Sequence, residues 1–457
     1  MELDVWAANL TLTVTALALT VKLWRTDVYF AAFFSMLTLY ALMPAWGYFL
    51  YPEISQIVLR MHFGNEPLVQ AAWFTTASLI SLFVGYFFIF EPMTRAVQFN
   101  MKQNRPEPGL MIAFQFIYII FLTGIYIYYA DVLDYSNASD EDFLNNAGIS
   151  YKLFWVFYKF STFIILVGYA LIRTASYKWR LDRIIARSLL IAHLLLFLVI
   201  TTTVGSRTDP LALAFGFIAY EYYFRKYCKV PPPAISAFAS RHRRIRRLFG
   251  TVAFVAVTIG ALTALEFSRS GGAILRDDLE TSAFAQGLLL KDYYWPYHVL
   301  IGAISHTYID PLNAIMSNIA NSLFFLRFDY LQAFVVNIWD PGNVTRTASP
   351  AFYALTEGFV MAGWGGFIYN GIVWSAGLGL WRLLSRSTNE PFNALGFAIC
   401  VAIAATVARS QSSYFIKNLY LWFLPALILY AVATGLRPTR IWNIRGAVEF
   451  RSKRAAS

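Results

Sequence analysis

Residues 185–225 read IARSLLIAHLLLFLVITTTVGSRTDPLALAFGFIAYEYYFR. Two apolar runs, near 185–204 and 210–224, are separated by one tight polar turn containing Arg207, and basic residues lie at both flanks. A run of about 20 apolar residues spans a hydrocarbon core of roughly 30 Å as a helix. In lipid a helix also satisfies its own backbone hydrogen bonds. The stretch predicts a transmembrane hairpin whose two open ends face the same compartment.

Comparable runs lie near 5–24, 28–50, 69–90, 110–130, 153–172, 249–267, 353–381, 392–408 and 418–436. The chain is therefore expected to be an all-α polytopic integral membrane protein of about 11 transmembrane helices, forming a single domain over residues 1–457. Composition points the same way. Of 457 residues 58% are hydrophobic and 14% charged, and the mean hydropathy of +0.52 is incompatible with a polar, water-facing surface. The first apolar run begins after Glu2 and Asp4 and ends at Lys22 and Arg25, the reverse of a cleavable signal's polarity. Cys228 and Cys400 share no metal-ligand spacing, so neither a disulfide nor a metal site is expected. No internal repeat or low-complexity linker is visible.

The net charge of +11 is a matter of sidedness. Alternate loops are basic: Lys22 and Arg25; Arg95, Lys102 and Arg105; Arg173 to Arg187; Arg225 to Arg247; Arg382 and Arg386; and the tail from Arg437 to Arg454. These loops hold 26 of the 37 Lys and Arg residues but only seven of the 26 acids. By the positive-inside rule the basic side is cytoplasmic, which predicts an N-out, C-in topology. The cluster Arg241-His242-Arg243-Arg244-Ile245-Arg246-Arg247 is then a juxtamembrane anchor for anionic membrane lipids, and no nucleic-acid partner is implied.

One outer loop, 268–350, is far longer than the others and rich in Tyr, Trp, Phe and Leu. Long loops are usually functional. The apolar spacing from His298 to Leu326, interrupted by Asp310-Pro311 and three asparagines, predicts short helices on or dipping into the outer interface and roofing a cavity. A second pair of full spans is the alternative. Eleven basic residues remain on the outer side or at membrane depth, where ionisable groups need a cavity and a partner. They include Arg207, Arg409 at the end of the tenth span, Lys417 at the start of the eleventh, and Arg269, Arg276, Arg327 and Arg346 in the long loop. Converging guanidinium groups suit a diphosphate, whose oxygens they bind in pairs. Equally, each arginine could pair with an acid such as Asp209, Asp277 or Asp278.

With these residues placed, the chain resembles the Wzy-type oligosaccharide repeat-unit polymerases, which include the O-antigen and enterobacterial common antigen polymerases. The resemblance covers roughly residues 185–430. It rests on Gly205-Ser206-Arg207 after an apolar span and on the long outer loop with Trp339-Asp340-Pro341-Gly342. It continues in Ser349-Pro350, Glu357-Gly358, Gly363-Trp364-Gly365-Gly366 and Arg409 at an outer helix end. The chain departs from the pattern where Asp209-Pro210 follows the arginine turn in place of small residues, which leaves the roles of Thr208 and Asp209 unassigned.

The resemblance implies a glycosyltransferase of the bacterial inner membrane with its active site facing the periplasm. A growing glycan on undecaprenyl pyrophosphate is transferred to a new lipid-linked repeat unit, and undecaprenyl pyrophosphate leaves. It further implies a flippase and a chain-length regulator of the same pathway as partners. Arg207 and Arg409, with Arg276, Arg346 and Lys417, would hold the leaving group's charge without a metal or cofactor. The attacking hydroxyl needs a proton acceptor. Glu357 and His306 are the first candidates, ahead of His298 and Asp310, although His306 also fits an interfacial histidine and Glu357 a structural partner of an arginine. The Gly363-Gly365-Gly366 cluster is expected to serve helix packing. The rivals are an O-antigen ligase acting on lipid A-core, a lipid-linked monosaccharide glycosyltransferase, and a lipid-linked oligosaccharide flippase or transporter. The monosaccharide enzyme would favour an acidic pair in the first outer loop, which is not found around Glu53 to Glu66, and the transporter would favour paired halves, of which no repeat is visible.

Overall fold

A computed structural model describes residues 2–50, 64–96, 98–103, 108–130, 133, 149–174, 180–204, 208–228, 297–305, 316, 319, 353–408 and 412–440. The described chain is almost entirely helical. Its long helices are α1 (Glu2–Thr26), α2 (Val28–Leu50), α3 (Asn65–Gly85), α4 (Pro108–Tyr129), α5 (Ile149–Thr174), α6 (Arg180–Val204) and α7 (Thr208–Tyr227). A short helix α8 occupies 297–305, followed by α9 (Thr356–Ala362), α10 (Gly366–Ser385), α11 (Glu390–Val407) and α12 (Ser412–Ala433). Among the described residues seven helices, α1 to α6 and α12, are long and apolar enough to cross a membrane. The protein is membrane-embedded by this measure, and its outer faces agree. Ile117 on α4 is 65% exposed and Leu195 on α6 58%, as suits side chains turned to lipid rather than water. The expected span 249–267 lies outside the described residues.

The helices pack around the pair α7 and α11. Their register is antiparallel: Gly216 faces Ala402, and one helical stretch further on the rings of Tyr223 and Phe397 lie 5.6 Å apart. Small residues allow this approach, because a Cβ on Gly216 would sit 3.4 Å from that of Ala402. α5 lies against both, with α4 and α6 outside it. α2 joins α11 through the Tyr29 hydroxyl, which donates to the Asn393 carbonyl at 2.6 Å, and α3 packs on α1 and α10.

Two long helices are interrupted by π-helical turns, Tyr86–Phe90 after α3 and Leu419–Phe423 within α12. Each immediately precedes a segment with proline at its second position, Pro92 and Pro425. Proline lacks an N–H and its ring collides with the carbonyl four residues back, so a local widening relieves the clash while the helix continues.

At one end of the bundle the strand β1 (Asn100–Gln103) pairs antiparallel with β2 (Leu436–Arg440). The Phe99 N–H donates to the Arg386 carbonyl at 3.0 Å, and the Thr388 N–H to the Phe99 carbonyl at 2.9 Å. Arg382 stacks 4.1 Å above the Tyr29 ring, with Asp27 at 3.9 Å. Segments flanking four of the basic loops thus meet at the same end.

The expected ninth span, 353–381, is corrected. It is not one helix. Gly363 takes a φ of 55°, a left-handed conformation that favours glycine, and Gly363–Gly365 turns the chain so that α9 folds back along the first two turns of α10. The Asn370 side chain donates to the Leu355 carbonyl at 2.9 Å across this hairpin, and the backbones touch at Gly358 and Gly366. The apolar run through 353–362 hid the reversal, since every residue from Tyr353 to Met361 is buried against protein rather than lipid.

Candidate functional site

Among the described residues the two buried carboxylates, Asp209 and Glu357, lie at the end opposite the β-ribbon. Because α7 and α11 are antiparallel, the start of α7 and the end of α11 lie at this same end. The chain leaves α6 at Val204 and re-enters helix at Thr208; it leaves the α11 segment at Ala408 and re-enters helix at Ser412. Arg207 and Arg409 belong to these two connections and lie outside the described residues, as do His306, Asp310, Arg269, Arg276, Arg327 and Arg346.

The second connection is held from both sides, by Ala354 just before α9 and by Glu357 in the first turn of α9. The Ala354 N–H donates to the Ala408 carbonyl at 3.1 Å. Glu357, fully buried, receives the Ser412 N–H on Oε2 at 2.6 Å. Its Oε1 receives the Ser412 hydroxyl at 2.6 Å and the Tyr369 hydroxyl at 2.7 Å. The sequence reading makes Glu357 a candidate acceptor of the substrate's proton. In this geometry both carboxylate oxygens are engaged by donors that tie α9 to α10 and to the start of α12, an arrangement suited to fixing a turn. Lys417, one further turn along α12, lies with its ammonium 5.2 Å from the Tyr414 ring centre.

The first connection has a different support. Asp209, in the first turn of α7, is 6% exposed, and Lys159 of α5 reaches both of its oxygens, at 2.7 and 2.6 Å. The Tyr158 hydroxyl lies 3.0 Å from Asp209 Oδ2 and 3.0 Å from the Thr201 hydroxyl of α6. Two residues nearer the end of α6, Thr203 shares a hydrogen bond of 2.9 Å with Tyr126 of α4. Four helices are thereby joined by polar contacts just below the arginine turn.

Of the long loop, α8 is informative. Every residue from Tyr297 to Ile304 is buried, so this helix is packed inside the protein rather than lying on a surface. Nδ1 of His298 meets the Tyr48 hydroxyl of α2, and the rings of Tyr297 and Tyr353 lie 6.1 Å apart.

Of the expected residues described here, Glu357 and Lys417 lie on elements that adjoin the 408–412 connection, while His298, an expected base candidate, is buried in α8 against the Tyr48 hydroxyl of α2. The residues the sequence reading passed over are Lys159, Ser412 and Tyr369. Lys159 had a signal, being the one charged residue within the apolar run 153–172. Ser412 had none, since its partner Glu357 lies 55 residues away. Compared with protein-family models, with curated proteins and with solved structures, the chain matches none.

Proposed function

We propose that this protein is a polymerase of lipid-linked oligosaccharide repeat units. It sits in the bacterial inner membrane with eleven spans, its N-terminus outside and C-terminus inside, and works at the periplasmic end. The observation that carries this reading is the antiparallel register of α7 and α11, which brings the flanks of the Arg207 and Arg409 connections to one end of one helix pair. The meeting of basic-loop segments around the β-ribbon supports the ribbon end as cytoplasmic and the end with the two arginine connections as periplasmic.

In the proposed reaction a hydroxyl of the incoming repeat unit attacks the anomeric carbon of the donor glycan. The new C–O bond forms as the bond to the diphosphate breaks, and the electron pair leaves on undecaprenyl pyrophosphate. The hydroxyl proton passes to a base, for which His306 is the assigned residue because Glu357 already holds Ser412 and Tyr369. Arg207 and Arg409, supported by Arg276, Arg346 and Lys417, offset the charge that develops on the diphosphate. Removing one such preorganised donor costs on the order of 100-fold or more in rate.

The test is Arg207→Ala and Arg409→Ala in cells that make the polymer. Both variants should insert and accumulate while polymer disappears and single repeat units build up on the lipid carrier. Arg→Lys at either place should rescue poorly, because an ammonium lacks the paired donors of a guanidinium. Polymer of normal length from both alanine variants rejects the assignment.

A further inference from the structure

Lys159 is a charged residue at this end that the proposed reaction does not use. It projects from within the apolar run of α5, where an ammonium is costly unless it faces a partner or a polar cavity. Its partner is unambiguous: both oxygens of Asp209, at 2.7 and 2.6 Å, in a carboxylate further braced by Tyr158. The Lys159 side chain is 36% exposed and the Asp209 side chain 9%, so the carboxylate is shielded while the lysine remains partly accessible.

The charge balance follows from chain position. Asp209 stands two residues after Arg207. A buried carboxylate demands a counter-charge, and without Lys159 the cation nearest along the chain would be Arg207. Arg207 and Asp209 alone sum to zero, whereas with Lys159 the three sum to one positive charge, whatever contacts the guanidinium makes.

We propose that Lys159 is a positioning residue for the diphosphate: by cancelling the Asp209 carboxylate it leaves the charge of Arg207 over for the substrate, while tying the start of α7 to α5. This rests on reading the outer end as a diphosphate site. It also gives Asp209-Pro210, the departure from the family pattern, a role: the acid sets where α7 begins and the lysine removes its electrostatic penalty.

The experiment measures binding of inorganic pyrophosphate by calorimetry to the purified full-length protein in detergent, with a thermal melt of each sample. The variants are Lys159→Gln, Asp209→Asn and the two combined. Lys159→Gln should weaken binding by on the order of fivefold or more, Asp209→Asn should tighten it, and the double variant should return to within about threefold of the unchanged protein. If the pair only clamps helices, all three variants melt earlier with pyrophosphate affinity unchanged, and the proposal is overturned. It is overturned equally if the unchanged protein binds no pyrophosphate. Should Lys159→Gln fail to fold, Asp209→Asn decides, because tightening supports the charge argument and an equal or weaker affinity defeats it. Pyrophosphate binding that follows the expected pattern in a protein that makes no polymer keeps the role of Lys159 and rejects the polymerase.

Discussion

Ser412 gives both its N–H and its hydroxyl to one buried carboxylate, and that economy decides how the 408–412 connection responds to substitution. Ser412→Ala removes the hydroxyl donor and keeps the N–H, so a loss of about 1–2 kcal/mol is expected. Glu357→Ala also strands the Ser412 N–H and the Tyr369 hydroxyl, and should cost more. Denaturant titration of the two variants in detergent checks the order, and a Glu357→Ala protein as stable as Ser412→Ala would remove the carboxylate from its clamping role. A catalytic base would behave differently: its loss would change the pH dependence of polymerisation, which clamping residues leave in place. At this scale the sequence was half legible. Glu357 stood out as a lone acid beside an apolar run, but its donors come from elements far along the chain, and no local pattern encodes such a contact.

At the scale of elements, glycines divide by what surrounds them. A Cβ on Gly358 or Gly366 would run into the facing backbone of the α9–α10 hairpin, whereas one on Gly365 meets nothing within 4 Å. Gly366→Ala is expected to destabilise by about 1–3 kcal/mol through overpacking. Gly363→Ala should cost about 1 kcal/mol or more through its positive φ. Gly365→Ala should be close to neutral, which thermal melts of the three proteins would show. Of the three glycines expected to serve packing, Gly366 does so, Gly363 supplies a turn, and Gly365 is open. The register of α7 against α11 has its own check. A Cβ at 216 would lie 3.4 Å from that of residue 402, near the separation of disulfide-linked Cβ atoms. With Cys228 and Cys400 replaced by serine, a Gly216→Cys, Ala402→Cys protein should cross-link on mild oxidation. Failure to cross-link in folded protein would undo the register on which the site is built.

Hydrophobic run length made the helices legible because a bilayer imposes one span length on every crossing segment. The same signal misled at 353–362, where burial against other helices produces apolar sequence without a crossing. Charge asymmetry governs the molecule as a whole. Single cysteines at Asn137 and Asn343 should react with an impermeant reagent applied from outside, while one at Ser240 is protected. Protection of residue 343 together with labelling of residue 240 would invert the topology and put the two arginine connections in the cytoplasm.

The proposed polymerase joins repeat units at the outer end, with arginines offsetting the charge of the diphosphate. Purified protein supplied only with repeat units on a lipid diphosphate should produce a ladder of longer glycans, undiminished by EDTA, since guanidinium groups supply the charge. A ligase would leave the units unextended until lipid A-core was added. Repeat units that remain single with folded, intact protein, whether or not lipid A-core is then needed for transfer, would reject the polymerase.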